Sequence, residues 1–212
     1  MTTVAWVLVA VAAACAVADW VAVARGSRRL EYLAKPAATL ALVGVALALD
    51  PTRDDRRAWF VVALALCLAG DVFLMLPADR FVAGLASFLG GHVAYVIGLT
   101  RGGGSAAELA VAAVPVVVVG VAVAVPILSA MRVRGHGALV APVVAYMAVI
   151  SAMVTTALAS GVVLAALGAA LFYGSDALIA WNRFVRPLVW APVAIMVTYH
   201  LGQAGLVLSL AR

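Results

Sequence analysis

The sequence predicts an all-α polytopic membrane protein with eight transmembrane helices, forming a single domain over residues 1–212. Three observations carry that expectation. Of the 212 residues, 67% are hydrophobic and only 11% are charged. Apolar stretches of span length recur eight times, and the charges gather between them. An average soluble domain is about half apolar and roughly a quarter charged. The composition therefore excludes a water-soluble enzyme, a disordered chain and a disulfide scaffold. The 18 Gly suit helix packing in lipid, where small residues let backbones approach.

A bilayer core of about 30 Å asks for roughly 20 apolar residues per helix, and this ruler places the elements in order. The first span, 3–24, starts without a basic segment and is longer than a signal-peptide core, so it reads as retained. Arg25, Arg28 and Arg29 precede the second span, 33–50. The charged run Asp50 to Arg57 leads into the third, 58–76. Pro77-Ala78-Asp79-Arg80 separates it from the fourth, 81–99, and Arg101-Gly-Gly-Gly104 precedes the fifth, 106–130. Arg132, Arg134 and His136 introduce the sixth, 138–159. The uncharged turn at Ser160 and Gly161 leads to the seventh, 162–181, and Arg183 and Arg186 to the eighth, 187–211. Cys15 and Cys67 lie inside apolar runs and form no framework.

The connections are too short for a soluble domain. The net charge of +5 is spread over them, leaving no basic stripe for nucleic acid. One Lys against 13 Arg reads as the coding bias of a GC-rich genome, which points to a bacterial inner membrane. Connections one, three, five and seven carry Arg25, Arg28, Arg29, Lys35, Arg80, Arg132, Arg134, Arg183 and Arg186. Arg53, Arg56, Arg57, Arg101 and Arg212 lie on the other side. The excess favours the odd connections as cytoplasmic.

Ionisable groups inside a membrane are costly, about 3 kcal/mol each at mid-bilayer on insertion scales, so they direct the search for function. Asp19, Lys35, Asp71, His92, Asp176 and His200 stand inside spans one, two, three, four, seven and eight. Spans five and six are almost purely apolar, which assigns the chemistry to the other six. Asp71 and Asp176 each lie five residues from the end of their span, about 8 Å inside the same face at 1.5 Å per residue. Asp19 and Lys35 share that level. The plainer alternatives are snorkelling for Asp19 and Lys35, an interhelical bracket for the two deep Asp, and satisfied interhelical hydrogen bonds for His92 and His200.

The halves of the chain also correspond. Lys35-Pro36 aligns with Ala141-Pro142, Gly70-Asp71 with Ser175-Asp176, and His92-x-x-Tyr95 with His200-x-x-Gln203, at offsets of 106, 105 and 108. Two four-span repeats would be parallel and would set Asp71 across from Asp176.

Lys35-Pro36, Gly70-Asp71-Val-Phe-Leu-Met-Leu76, Phe81, Gly84, Phe88 and His92-x-x-Tyr95 form one set of landmarks. Ser175-Asp176-Ala-Leu-Ile-Ala-Trp-Asn182-Arg183-Phe184 and Tyr199-x-x-x-Gln203 form another. In order and spacing they resemble the YhhN/TMEM86 family of multi-pass membrane proteins, over nearly the whole chain. The resemblance implies a lysoplasmalogenase-type hydrolase that cleaves the vinyl ether bond of lysoplasmalogens into a fatty aldehyde and a glycerophospho-head group. The partners expected with it are a lysophospholipid in the bilayer and water; no cofactor and no metal are expected.

Vinyl ether hydrolysis needs a proton donor for the β-carbon and a carboxylate that stabilises the resulting cation and activates water. Glycosidases meet the same demand with two carboxyls. Asp71 and Asp176 are the expected pair, because two Asp facing each other in low dielectric do not both ionise easily. The sequence leaves open which one is the acid. Lys35 is expected to bias the pair or to bind phosphate. Arg80 and Arg183 lie at the mouth and can hold the phosphodiester. His92 and Tyr95 can orient water or the glycerol hydroxyl. Ser175, Asn182, Tyr199 and Gln203 are expected to complete the substrate site. Two other classes remain: a transporter of lipids or small molecules, and a metal-dependent intramembrane hydrolase using His92, His200, Asp71 and Asp176, although no HExxH motif supports it.

Overall fold

A computed structural model describes residues 2–50 and 53–211. Arg212, which enters the charge comparison above, and residues 51–52 of the charged turn lie outside the described residues. Eight long helices run in chain order: α1 (Thr3–Ala24), α2 (Arg28–Ala48), α3 (Asp54–Met75), α4 (Phe81–Thr100), α5 (Ala106–Val133), α6 (Val140–Ala159), α7 (Val163–Ala180) and α8 (Ala191–Leu208). All eight, some extended by short flanking turns, are long and apolar enough to cross a membrane. The protein is therefore a multi-pass membrane protein.

The helix starts follow local chemistry as well as hydropathy. Thr2 caps α1 by accepting the Ala5 N–H at 3.0 Å. Ser105 and Glu108 form a reciprocal capping box on α5. α2 and α3 begin several residues before the apolar runs do, at Arg28 and Asp54. Backbone hydrogen bonding continues through the charged first turns, so the helix extends beyond its membrane-embedded part. At 28 residues, α5 is about 42 Å long. Its outward face is a series of exposed valines, including Val111, Val114, Val117, Val118, Val121 and Val125. α7 ends in a widened π-type turn, Trp181–Val185, and α8 begins only at Ala191, after Pro187.

Successive helices pair as hairpins, α1 on α2, α3 on α4, α5 on α6 and α7 on α8. The hairpins join through α2–α3, α6–α7, α4–α6, α2–α8 and α1–α8. Glycine sets the closeness of two of them. A Cβ on Gly202 would come within 2.8 Å of the Phe172 backbone N and 2.9 Å of the Gly168 carbonyl O, so α7 and α8 meet backbone to backbone. A Cβ on Gly91 would meet the Cys67 sulfur at 2.9 Å, which draws α4 onto α3. These two contacts bring His92 and Tyr199, each on a tight hairpin, to the level of the two deep Asp.

Candidate active site

Asp71 and Asp176 both open on a chamber of about 270 Å³, together with Lys35, Ser175, Asn182 and Arg183. α2, α3, α7 and the π-type turn after α7 supply these groups, and Phe88 and Tyr199 complete the wall from α4 and α8.

The Asp71 side is built from three helices. The Lys35 ammonium lies 3.2 Å from Asp71 Oδ1, and both side chains are buried. Asp71 Oδ2 accepts the Tyr199 hydroxyl at 2.6 Å and the Thr39 hydroxyl at 3.3 Å. Gln203, one turn beyond Tyr199, donates its amide to the Tyr199 oxygen at 2.9 Å. A carboxylate in low dielectric needs such donors, because an uncompensated buried charge costs several kcal/mol. The spacing of Lys35 and Thr39 puts both on one face of α2. The same spacing applies to Tyr199 and Gln203 on α8.

The Asp176 side draws on α4 and α6. The Tyr146 hydroxyl donates a short hydrogen bond to Asp176 Oδ2. His92 Nε2 lies 3.1 Å from the same oxygen and 2.8 Å from the Tyr146 oxygen. With the Tyr146 proton directed to the carboxyl, His92 serves as an Nε2–H donor. Asp176 Oδ1 makes no hydrogen bond among the described residues. Between the two sides stands an edge-to-face aromatic wall. Phe172 is 5.2 Å from Tyr199 and 4.8 Å from His92, ring centre to ring centre.

Beyond Asp176 the chamber meets an apolar slot of about 50 Å³, walled by residues such as Ile127, Val143, Met147 and Phe184. Leu74, Phe81, Phe88, Asp176 and Ile179 line both spaces. At the chamber's mouth, Arg183 bonds Asp79 at 2.8 Å and lies 4.1 Å over the Phe81 ring. The Arg183 hydrogen bond, with help from the Phe81 backbone N–H, holds the Asp79 carboxyl below the usual carboxylate range.

The remaining sequence-predicted residues fall in three places. Asn182 lines the chamber, and its side-chain oxygen accepts the Leu188 N–H at 2.7 Å, fixing the turn into α8. Ser175 lines it too and donates to the Ile195 carbonyl at 3.1 Å. Gln203 supports Tyr199 from behind the wall. Arg80 is exposed at the start of α4 and does not line the chamber. Tyr95 lies away from the chamber, fully buried against Phe60 at 5.1 Å, with its hydroxyl unpartnered among the described residues. Asp19 does not snorkel: it is wholly buried, and neither carboxylate oxygen has a hydrogen-bond partner among the described residues. His200 accepts the Trp20 indole N–H on Nδ1 at 3.0 Å, an interhelical bond away from the chamber. Arg56 counts as a loop cation in the sequence, yet it is buried and donates to Ser209 at 3.1 Å.

The expectation that spans five and six stand apart from the polar centre is corrected here. α6 supplies Tyr146, and α5 supplies a wall of the slot. Tyr146 escaped notice because a tyrosine in an apolar run reads as hydrophobic. Its signal was the hydroxyl, which needs a partner when buried. Thr39 was missed in the same way, although it lies one helical turn from Lys35.

The YhhN family model matches residues 30–210. The chain is 35% identical over 150 residues to human lysoplasmalogenase TMEM86B, covering 71% of this chain and 62% of that protein. It is 33% identical over 188 residues to a lysoplasmalogenase of Mycobacterium bovis, covering 84% of this chain and 71% of the relative. A lysoplasmalogenase of Mycobacterium tuberculosis matches to the same extent. No solved structure matches the chain significantly. On the extent of the family match and the identity to these relatives, the chain belongs to the YhhN family.

Proposed function

We propose that the protein is a lysoplasmalogenase-type hydrolase in which Asp176 is the general acid and Asp71 the general base. The relatives' names supply the reaction class. The observation that carries the mechanism is the unequal provision for two carboxyls in one chamber. Asp71 faces an ammonium and two hydroxyls, the surroundings of a stable carboxylate. Asp176 has one oxygen without a hydrogen bond among the described residues, where polar chamber meets apolar slot, and no Lys or Arg on its other oxygen, which meets Tyr146 and His92.

The roles follow from that junction. A single-chain lipid would place its glycerophospho-head in the chamber and its vinyl ether beside Asp176. Asp176 delivers its proton to the β-carbon, and the π electrons of the C=C bond form the new C–H bond. The positive charge left on the α-carbon and ether oxygen faces the carboxylates. Water then adds to the α-carbon while Asp71 accepts its proton. The hemiacetal collapses as its hydroxyl proton passes to the Asp176 carboxylate and the C–O bond to glycerol breaks. The glycerol oxygen takes the proton held by Asp71, so both carboxyls return to their starting states, one water is consumed and no net proton is gained or lost. Tyr146 and His92 orient Asp176 throughout. Lys35 keeps Asp71 ionised, and Arg183 and Asn182 hold the phosphodiester at the mouth.

The test uses purified protein and a lysoplasmalogen, with aldehyde release as the readout. Asp71→Asn and Asp176→Asn are each expected to lower turnover by about a thousandfold, within the range for general acid–base groups, while helical content is kept. Wild-type-like turnover in either variant refutes the mechanism.

A further inference from the structure

We propose that the alkyl chain of the lipid reaches the chamber sideways, through a groove between α5 and α7 that opens toward the bilayer. The inference rests on the reading above that the chamber handles a single-chain lipid. Three spaces run on from one another. The chamber and the apolar slot share the surroundings of Asp176. The slot in turn shares Val123 of α5 and Ala177 of α7 with an open groove, which Ala122, Gly174, Leu178 and Trp181 continue outward. No charged side chain lines the slot beyond Asp176 or the groove among the described residues. Such a path suits hydrocarbon and repels a head group.

The walls of the groove differ in firmness. α7 is locked to α8 by backbone contact at Gly168 and Gly202. α5 rests mainly on α6 and on the π-type turn after α7, and most of its surface faces outward. At about 50 Å³ the slot is narrow for a long chain, so accommodation requires α5 to move outward. The groove is open beside Gly174: a Cβ placed there meets no atom within 4 Å. A head group entering from the aqueous mouth beside Arg183 would then meet a chain that arrives within the membrane.

Gly174→Trp obstructs the groove from the α7 side, and Ala122→Trp does so from the α5 side. Both positions lie outside the chamber. Turnover is compared on a long-chain lysoplasmalogen in vesicles and on a short-chain, water-soluble vinyl ether with the same head group. The expected result is a loss in kcat/KM of about tenfold or more on the long chain, with the short chain within about twofold of wild type. Equal losses on both substrates, or no loss on either, overturn the route. If the wild type cleaves neither substrate, the hydrolase reading fails and a second measurement decides the route. A lysophosphatidylcholine with a diazirine at its chain end is illuminated in vesicles. Labelling of the peptides around Val123 and Ala177 that Gly174→Trp abolishes supports the route. Labelling spread over all outward faces, unchanged in the variant, overturns it.

Discussion

Asp71 and Asp176 face one chamber yet share no hydrogen-bonding partner among the described residues: Lys35, Thr39 and Tyr199 serve the first, Tyr146 and His92 the second. Separate partners allow two identical side chains to hold different protonation states, which is the condition for acid and base roles in one site.

This separation predicts a pattern of coupling. Tyr146 and His92 converge on the same oxygen of Asp176, so Tyr146→Phe and His92→Gln should couple in unfolding free energy by about 0.5–3 kcal/mol. Tyr146→Phe and Tyr199→Phe touch different carboxyls and should add within about 0.5 kcal/mol. Denaturation of the three single and two double variants in detergent reads both cycles. Strong coupling across the two carboxyls would show that they form one network.

Removing Lys35 tests the charge balance around Asp71. Lys35→Met leaves a buried carboxylate facing no cation, and such losses cost about 3–5 kcal/mol. Lys35→Met combined with Asp71→Asn should recover most of that stability while remaining inactive. A Lys35→Met protein as stable as wild type would mean that the pair contributes little.

The mouth responds to pH through Asp79. Its carboxyl is held below the ordinary range by Arg183, so the bridge is present above the usual Asp value of about 4 and is lost as pH falls through the lowered value. Loss of the bridge frees the guanidinium for phosphate. Affinity for a non-hydrolysable ether lysophospholipid, measured in the Asp176→Asn background, should therefore rise at the acid end. Asp79→Asn should remove this step and bind as tightly at neutral pH as the parent does in acid.

The α7–α8 contact predicts a sharp contrast between two glycines. Gly202→Leu drives a side chain into the Phe172 and Gly168 backbone, and overpacking of this kind costs about 1–3 kcal/mol or more. Gly174→Ala meets open space and should be neutral or stabilising by up to about 1 kcal/mol through helix propensity. Thermal unfolding of the two variants gives the comparison directly.

The membrane spans were legible because a long apolar run in this chain has no other use. Their ends were less so: charged first turns such as Arg28 to Glu31 continue a helix whose hydropathy has already dropped. Lys35, Asp71, His92 and Asp176 were conspicuous because charge inside a span is costly. Tyr146 and Thr39 were hidden because one hydroxyl hardly changes the apolarity of a helix, and only the fold reveals which carboxyl it meets. Arg56 shows the opposite error, since a cation near a span end looks like a loop charge until it is seen turned inward onto Ser209.

The glycine-to-backbone seam between α7 and α8 has a mechanical consequence. A joint without intervening side chains has little to compress, so Asp176 and Tyr199 ride on one stiff plate. Compliance is left to the valine-faced α5 opposite. Lateral pressure in the surrounding bilayer would then act on the hydrocarbon wall and leave Asp176 and Tyr199, the hydroxyl partner of Asp71, in fixed relation. Membrane fluidity would govern how often the site loads, and protein geometry would govern what happens once it has.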